Sequence, residues 1–160
     1  MLDLRPVPAA AEHVQPYVGH HVEQVQRVRQ RDHLVVAAQS VREGCDWVEQ
    51  QLGVRPQAGG QHLAMGTHNA VLSLGERFYL EVIAVDPAGA RPLRPRWFDL
   101  DEPRMKAALT EGPQLVHWVA RTSDVRAAVA RLPDLGIVTA MSRGDYAWQM
   151  SIPADGHRPG

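Results

Sequence analysis

Residues 33–54 read HLVVAAQSVREGCDWVEQQLGV, and residues 117–137 read HWVARTSDVRAAVARLPDLGI. In each stretch a histidine opens a short run rich in apolar and β-branched residues, which predicts a strand. Eight residues after each histidine stands a valine, Val41 or Val125, that begins an apolar stripe at helical spacing. The first stripe is Val41, Cys45, Val48 and Leu52, preceded by a capping box in which Ser40 caps and Glu43 follows three residues later. The second is Val125, Ala128, Val129 and Leu132, with Ser123 or Asp124 as the cap. Each helix then stops on Leu-Gly-aliphatic, Leu52-Gly53-Val54 and Leu135-Gly136-Ile137, the glycine falling 20 and 19 residues after the histidine. Histidine, cap and stop agree in register, which identifies an internal duplication.

Working outward, the first copy continues into three extended stretches. Residues 54–64 are loosely strand-like around Gly59-Gly60, while 67–74 (THNAVLSL) and 78–84 (FYLEVIA) flank a short hairpin turn at Gly75-Glu76-Arg77. Five prolines between 86 and 114 mark a connector with a short helix near Pro103–Leu109. The second copy adds strands at 137–140 and 146–152, and the last nine residues read as loop. The resulting organisation is an N-terminal extension (1–30), a first βαβββ module (31–86), a connector (87–114) and a second, incomplete module (115–160). In the extension, Val14, Val18, Val22, Val25 and Val28 keep helical spacing that Pro16 and Gly19 interrupt, which predicts partial helix or disorder. One such module leaves a sheet face uncovered, so the fold class expected is α+β, with two tandem modules forming a curved mixed sheet around a cleft.

Bulk properties narrow the function classes. With 44% hydrophobic residues, 22% charged residues and a net charge of −1, nothing attracts the chain to nucleic acid or to an anionic membrane. No apolar run approaches the length of about 18 residues that a membrane helix needs. A signal-peptide pattern is absent and the one cysteine, Cys45, has no internal partner, so the expected location is the cytoplasm. There is no G-x-S-x-G nucleophile elbow, no phosphate-cradling G-x-x-x-x-G-K-[ST] and no cysteine-pair zinc motif.

Strand alternation sorts the remaining side chains. His33, Val35 and Ala37 share a face opposite Leu34, Val36 and Ala38. Tyr79, Glu81 and Ile83 oppose Phe78, Leu80, Val82 and Ala84; His117, Val119 and Arg121 oppose Trp118, Ala120 and Thr122. The all-apolar sets should face the helices, which puts Glu81 on the cleft side. Two histidines at equivalent places in the repeat and one carboxylate then converge, a donor set for a divalent metal. The plainer reading is a solvated strand glutamate and histidines satisfied by hydrogen bonds.

The segments DHLVVAAQSVREGCDWVEQQLGVRP (32–56), GTHNAVLSLGERFYLEVIAVDP (66–87) and RPRWFDLDEP (94–103) resemble the glyoxalase-like domains of the vicinal-oxygen-chelate superfamily, which also holds glyoxalase I, extradiol dioxygenases, and fosfomycin- and bleomycin-resistance proteins. That resemblance implies a divalent ion (Fe, Ni, Zn, Mn or Mg) held in the cleft by a first-strand His or Gln and a fourth-strand Glu from each module. The matching positions are His33, Glu81 and His117. The fourth ligand would fall roughly 48 residues after His117, beyond Gly160, so the last strand is expected to be missing. His20, His21 and Glu23 of the extension, or a partner chain, are the conceivable substitutes. An unpaired edge at 146–152 would favour a homodimer.

Three functions follow from the resemblance. In the first, a metal-dependent lyase, isomerase or dioxygenase acts on a small molecule with adjacent oxygens, the ion serving as Lewis acid and Glu81 as the catalytic carboxylate. Candidate substrate-binding residues are His68, Asn69, Trp97, Arg121 and Trp148, each with a structural reading beside it: hydrogen-bonding for His68 and Asn69, core packing for the tryptophans, surface charge for Arg121. The alternatives are a non-catalytic small-molecule or drug-sequestering module and an inactive truncated member.

Overall fold

The computed structural model describes residues 30–143 and 145–157. Residues 1–29 of the N-terminal extension, with His20, His21 and Glu23, lie outside these residues. The described elements are β1 (Gln30–Ala37), α1 (Val41–Leu52), β2 (Gln57–His62), β3 (Thr67–Gly75), β4 (Phe78–Val85), α2 (Pro103–Thr110), β5 (Gln114–Arg121), α3 (Val125–Arg131), β6 (Ile137–Arg143) and β7 (Tyr146–Ile152).

The caps explain the helices. Ser40 Oγ accepts from the Glu43 amide at 3.2 Å, and Glu43 reaches back to the Gln39 amide at 3.1 Å, so two otherwise orphaned donors are satisfied. Gly53 ends α1 in the left-handed conformation, φ 73°. Of the two candidate caps for α3, Asp124 does the work, its carboxylate accepting from Ala127 N at 2.9 Å.

Five strands form one mixed sheet in the order β2-β3-β4-β1-β5, with β1 and β4 parallel and the other neighbours antiparallel. The duplication is visible in the β1–β5 register. His33 stands opposite Val119 and His117 opposite Val35, so the histidine of each copy faces the residue two beyond the histidine of the other. A local two-fold axis therefore passes between the two first strands, and both histidines share one sheet face.

That sheet divides two cores. On one face α1 covers Val36, Leu80, Val82 and Ala70 with Cys45 and Val48. Burying each such aliphatic side chain stabilises the fold by roughly 1.5–3 kcal/mol. On the other face Val35, Ala37 and Ile83 meet Trp97, Phe98 and Leu100 of the connector, Met105 and Leu109 of α2, and Met141 and Ile152 of the β6–β7 hairpin. The connector thus folds onto the face expected to line an open cleft, and fills its apolar end.

The second module departs most from a regular repeat. β6 and β7 pair only with each other, as a separate two-stranded sheet. Among the described residues no fourth strand follows β7 and none pairs with the outer edge of β5. With no strand to link it to β5, the hairpin is held by burial of Met141 and Ile152 under the connector.

Candidate functional site

The polar end of the connector-covered face holds a tight group of side chains. The β1–β4 register places His33 beside Tyr79 and Val35 beside Glu81. His33 Nε2 lies 3.5 Å from Glu81 Oε2. Glu81 is 6% exposed and His33 9% exposed, so both have surrendered most of their water. Across the β3–β4 pair, Asn69 donates through Nδ2 to Glu81 Oε1 at 2.5 Å. Its Oδ1 in turn accepts from Gly60 N at 2.8 Å, which fixes which end of the amide meets the carboxylate.

A bulge supplies the next member. The β1–β5 register shifts between Arg31 and His33, and the extra residue, Asp32, turns onto the same side as His33. Asp32 Oδ1 lies 2.9 Å from His33 Nδ1, and Arg121 of β5 donates through Nε to Asp32 Oδ2 at 2.6 Å and through a second guanidinium nitrogen to the same oxygen. Burial pushes the Asp32 carboxyl up, but the hydrogen bond from His33 and the charges of His33 and Arg121 outweigh it and hold the group below the usual aspartate range. An ionised Asp32 only accepts, so His33 Nδ1 carries the proton. His33 Nε2, the other ring nitrogen, is the one turned towards Glu81.

β2 contributes His62, which pairs directly with Thr67. Its Nδ1 lies 3.1 Å from Thr67 Oγ1 and its Nε2 lies 3.8 Å from Glu81 Oε1. Trp97 meets the His62 ring edge-on at 5.1 Å, and Tyr79 stacks on His33 at 4.5 Å. The indole Nε1 of Trp97 is buried and has no hydrogen-bond partner among the described residues.

The expected residues are distributed unevenly around this group. His33 and Glu81 are in contact. His117 shares their face on the far side of Val35, half-buried, its ring 5.5 Å from that of Phe98; by sheet geometry it is a diagonal neighbour of His33, roughly 7–8 Å away. Asn69 touches Glu81, Arg121 touches Asp32, and Trp97 touches His62. Trp148, on β7, packs against the edge of the connector core. His68 pairs with Ala84 in the β3–β4 register, one residue out of phase with Asn69, and so sits on the α1 side of the sheet, away from Glu81. Sequence reasoning passed over Asp32 and His62. Strand alternation sends Asp32 to the wrong face unless the bulge is known. For His62 the two glycines of β2 hide any alternation.

As a metal site the group fits in part. Two donors 3.5 Å apart suit one ion bound at about 2.0–2.2 Å from each, and the Asp32 hold on Nδ1 is the carboxylate–histidine support that metal-ligating imidazoles use. Among the described residues no three His, Cys, Asp or Glu side chains already surround a common point. The fitting pair is His33 and Glu81.

The connector over this site is strained and fastened. Phe98 and Asp99 both take positive φ, 58° and 59°, a conformation that costs a non-glycine residue about 1–2 kcal/mol. Asp99 N donates to Gly156 O at 3.1 Å, Arg94 donates to Pro153 O at 2.8 Å, and His157 Nδ1 lies 2.9 Å from Asp99 Oδ1. The hydrogen bond to Asp99, with the nearby acidic charges, raises the His157 ring above its ordinary value. A group raised on folding stabilises below its unfolded value of about 6.5 and loses that contribution as pH rises through the folded value. The Asp99 amide should therefore exchange faster at pH 8.5 than at pH 6 beyond its intrinsic rate change, and Asp99→Asn should remove the difference. An unchanged pH response in that variant would exclude the contact as the fastening.

A family model described as a glyoxalase-like domain matches residues 31–160. The chain belongs to the glyoxalase-like domain family. That places it in the vicinal-oxygen-chelate superfamily, and the mixed α+β sheet agrees. No curated protein sequence matches it. Similar solved structures include the methylmalonyl-CoA epimerase from Mycobacterium tuberculosis, at 20% identity over 71% of this chain and 67% of that one, TM-score 0.45. Another is the Streptomyces coelicolor methylmalonyl-CoA epimerase in complex with 2-nitronate-propionyl-CoA, at 18% identity over 71% and 74%, TM-score 0.44. At that distance they say nothing about this family member's chemistry. No helix among the described residues is long and apolar enough to cross a membrane.

Proposed function

We propose that this glyoxalase-like chain is a divalent-metal-dependent enzyme acting on a small molecule with adjacent oxygens, as a lyase, isomerase or dioxygenase. The observation that carries the reading is the His33–Glu81 pair: an imidazole whose Nδ1 is held by Asp32 presents Nε2 to a buried carboxylate oxygen at 3.5 Å. An imidazole nitrogen and a carboxylate oxygen at that separation in a dry site can both bind one cation placed between them. His33 and Glu81 supply the first two donors, and His117 is the second module's candidate for a third.

The bound ion would act as a Lewis acid on a substrate oxygen. Asp32 orients His33 through Nδ1, and Arg121 pairs with Asp32 from the other side. Asn69 holds Glu81 Oε1, leaving Oε2 as the oxygen turned towards His33. Trp97, whose indole N–H has no partner among the described residues, is a donor available to an oxygen of the bound molecule. We also propose that the protein is a cytoplasmic homodimer. The second point is supported by the outer edge of β5, unpaired among the described residues, where Leu115 and Trp118 are 62% and 53% exposed.

Elemental analysis of the untagged protein should find about one divalent ion per chain, lost in His33→Ala. A wild-type protein that stays ion-free after exposure to nickel, zinc, manganese and ferrous salts would overturn the enzyme reading and favour the ligand-binding module, for which the aromatic side chains over the site are the supporting feature.

A further inference from the structure

The geometry points to His62 as a third ligand of the same ion, so that the first module alone supplies a two-histidine, one-carboxylate set that selects a transition metal over magnesium. This rests on the metal reading above and deepens it.

His62 and His33 stand in equivalent relations to Glu81. Each ring is anchored through Nδ1 to a side-chain oxygen, Thr67 Oγ1 at 3.1 Å for His62 and Asp32 Oδ1 at 2.9 Å for His33. Each presents Nε2 to a different oxygen of the carboxylate, at 3.8 and 3.5 Å. An aromatic ring braces each imidazole from outside, Trp97 on His62 and Tyr79 on His33. All three side chains are nearly dry, at 8%, 11% and 7% exposure for His62, His33 and Glu81. Hydrogen bonding through Nδ1, a buried carboxylate and restricted ring motion are what fixes an imidazole as a metal ligand. The three donors do not meet at one point without an ion, so the assignment requires the Glu81 and His62 side chains to turn towards it on binding. The His117 ring lies instead against Phe98 and Trp118.

The donor chemistry sets the ion. Imidazole nitrogens suit Fe(II), Ni, Zn and similar ions, whereas magnesium takes oxygen ligands and keeps its water. Of the ions the family resemblance allows, magnesium is the one this set disfavours.

Calorimetric titration of the full chain with nickel chloride, against the His33→Ala, His62→Ala and His117→Ala variants, tests the assignment. One high-affinity nickel per wild-type chain is expected, with magnesium at least 100-fold weaker. His62→Ala should weaken nickel binding by about 10–100-fold, and His117→Ala by less than 3-fold. A His62→Ala variant that binds nickel like wild type, or loss confined to His117→Ala, overturns the inference while leaving the metal reading intact. A wild type that takes up no nickel overturns the metal reading itself. Should His62→Ala fail to fold, His62→Gln and the wild-type chain decide the point: zinc should shift the Nε2 resonance that is missing from the His62→Gln spectrum, and an unmoved resonance rules His62 out.

Discussion

Glu81→Gln is expected to weaken divalent-ion binding at least 100-fold while leaving the ion-free protein as stable as wild type, or more so. Glutamine keeps the shape of the side chain and an oxygen to accept from Asn69. What it removes is the negative charge, the anionic donor among the proposed ligands. A 100-fold loss corresponds to about 2.8 kcal/mol, at 1.4 kcal/mol per factor of ten. In the ion-free protein the same charge works against the fold. The carboxylate is 6% exposed, and its charged-capable neighbours among the described residues are two histidines. Leaving a carboxylate in such a place costs several kcal/mol unless the neighbours compensate. Removing it should raise the melting temperature of the metal-free chain by a few degrees, the trade between stability and function that active sites commonly show.

Thermal melts of chelator-treated wild type and variant, paired with ion titration, separate this account from a structural one. If Glu81 is only a hydrogen-bond partner that ties β4 to β3 and β1, the variant should melt several degrees lower and bind ions unchanged. The two accounts predict opposite signs for the same pair of numbers.

Much of the fold was legible because two of its signals are local. The Ser40 cap, the Gly53 stop and the Asp124 cap are set by residues within one turn of one another, and they stand where the sequence puts them; α3 instead ends at Arg131, and Gly136 closes the short 3-10 turn Pro133–Leu135 that follows it. The face shared by Tyr79, Glu81 and Ile83 was legible because β4 is a regular strand with a clean period of two. The same rule, run through the short turn at residues 75–77, separates Asn69 from His68, and only Asn69 reaches Glu81. The site was less legible where regularity fails. Asp32 sits at a bulge, so its side chain leaves the face that alternation assigns, and the partner that orients His33 is hidden by a one-residue register shift. β2 holds no β-branched residue and two glycines, so nothing marked His62 as pointing anywhere. The connector gave no warning that it would fill the apolar end of the face. Its prolines interrupt every period, and Trp97 and Phe98 reach the site through two consecutive residues at positive φ, which no residue type announces. The independence of the β6–β7 hairpin follows from long-range pairing, the level at which local patterns carry least information.

Those two glycines carry the second large effect. Gly59→Ala is expected to destabilise the protein by about 2–3 kcal/mol and to weaken ion binding about 10-fold. The β2–β3 register slips between Ala58 and Gln61, and in that slip the β2 backbone comes down onto Asn69. A Cβ at position 59 would fall 2.9 Å from Asn69 Cγ and 3.0 Å from its backbone oxygen, and closer still to Oδ1. The side chain cannot swing aside without breaking both its bonds, Gly60 N to Oδ1 and Nδ2 to Glu81 Oε1. The clash therefore travels from an exposed strand residue to the buried carboxylate through one amide. Asn69→Ala tests that route, because it removes the group that Gly59 accommodates. In an Asn69→Ala background, Gly59→Ala should cost less than about 1 kcal/mol, a coupling of 1–2 kcal/mol that neighbouring residues in one network show. Costs that simply add would place the strain in the β2 backbone and leave Glu81 oriented by something other than Asn69.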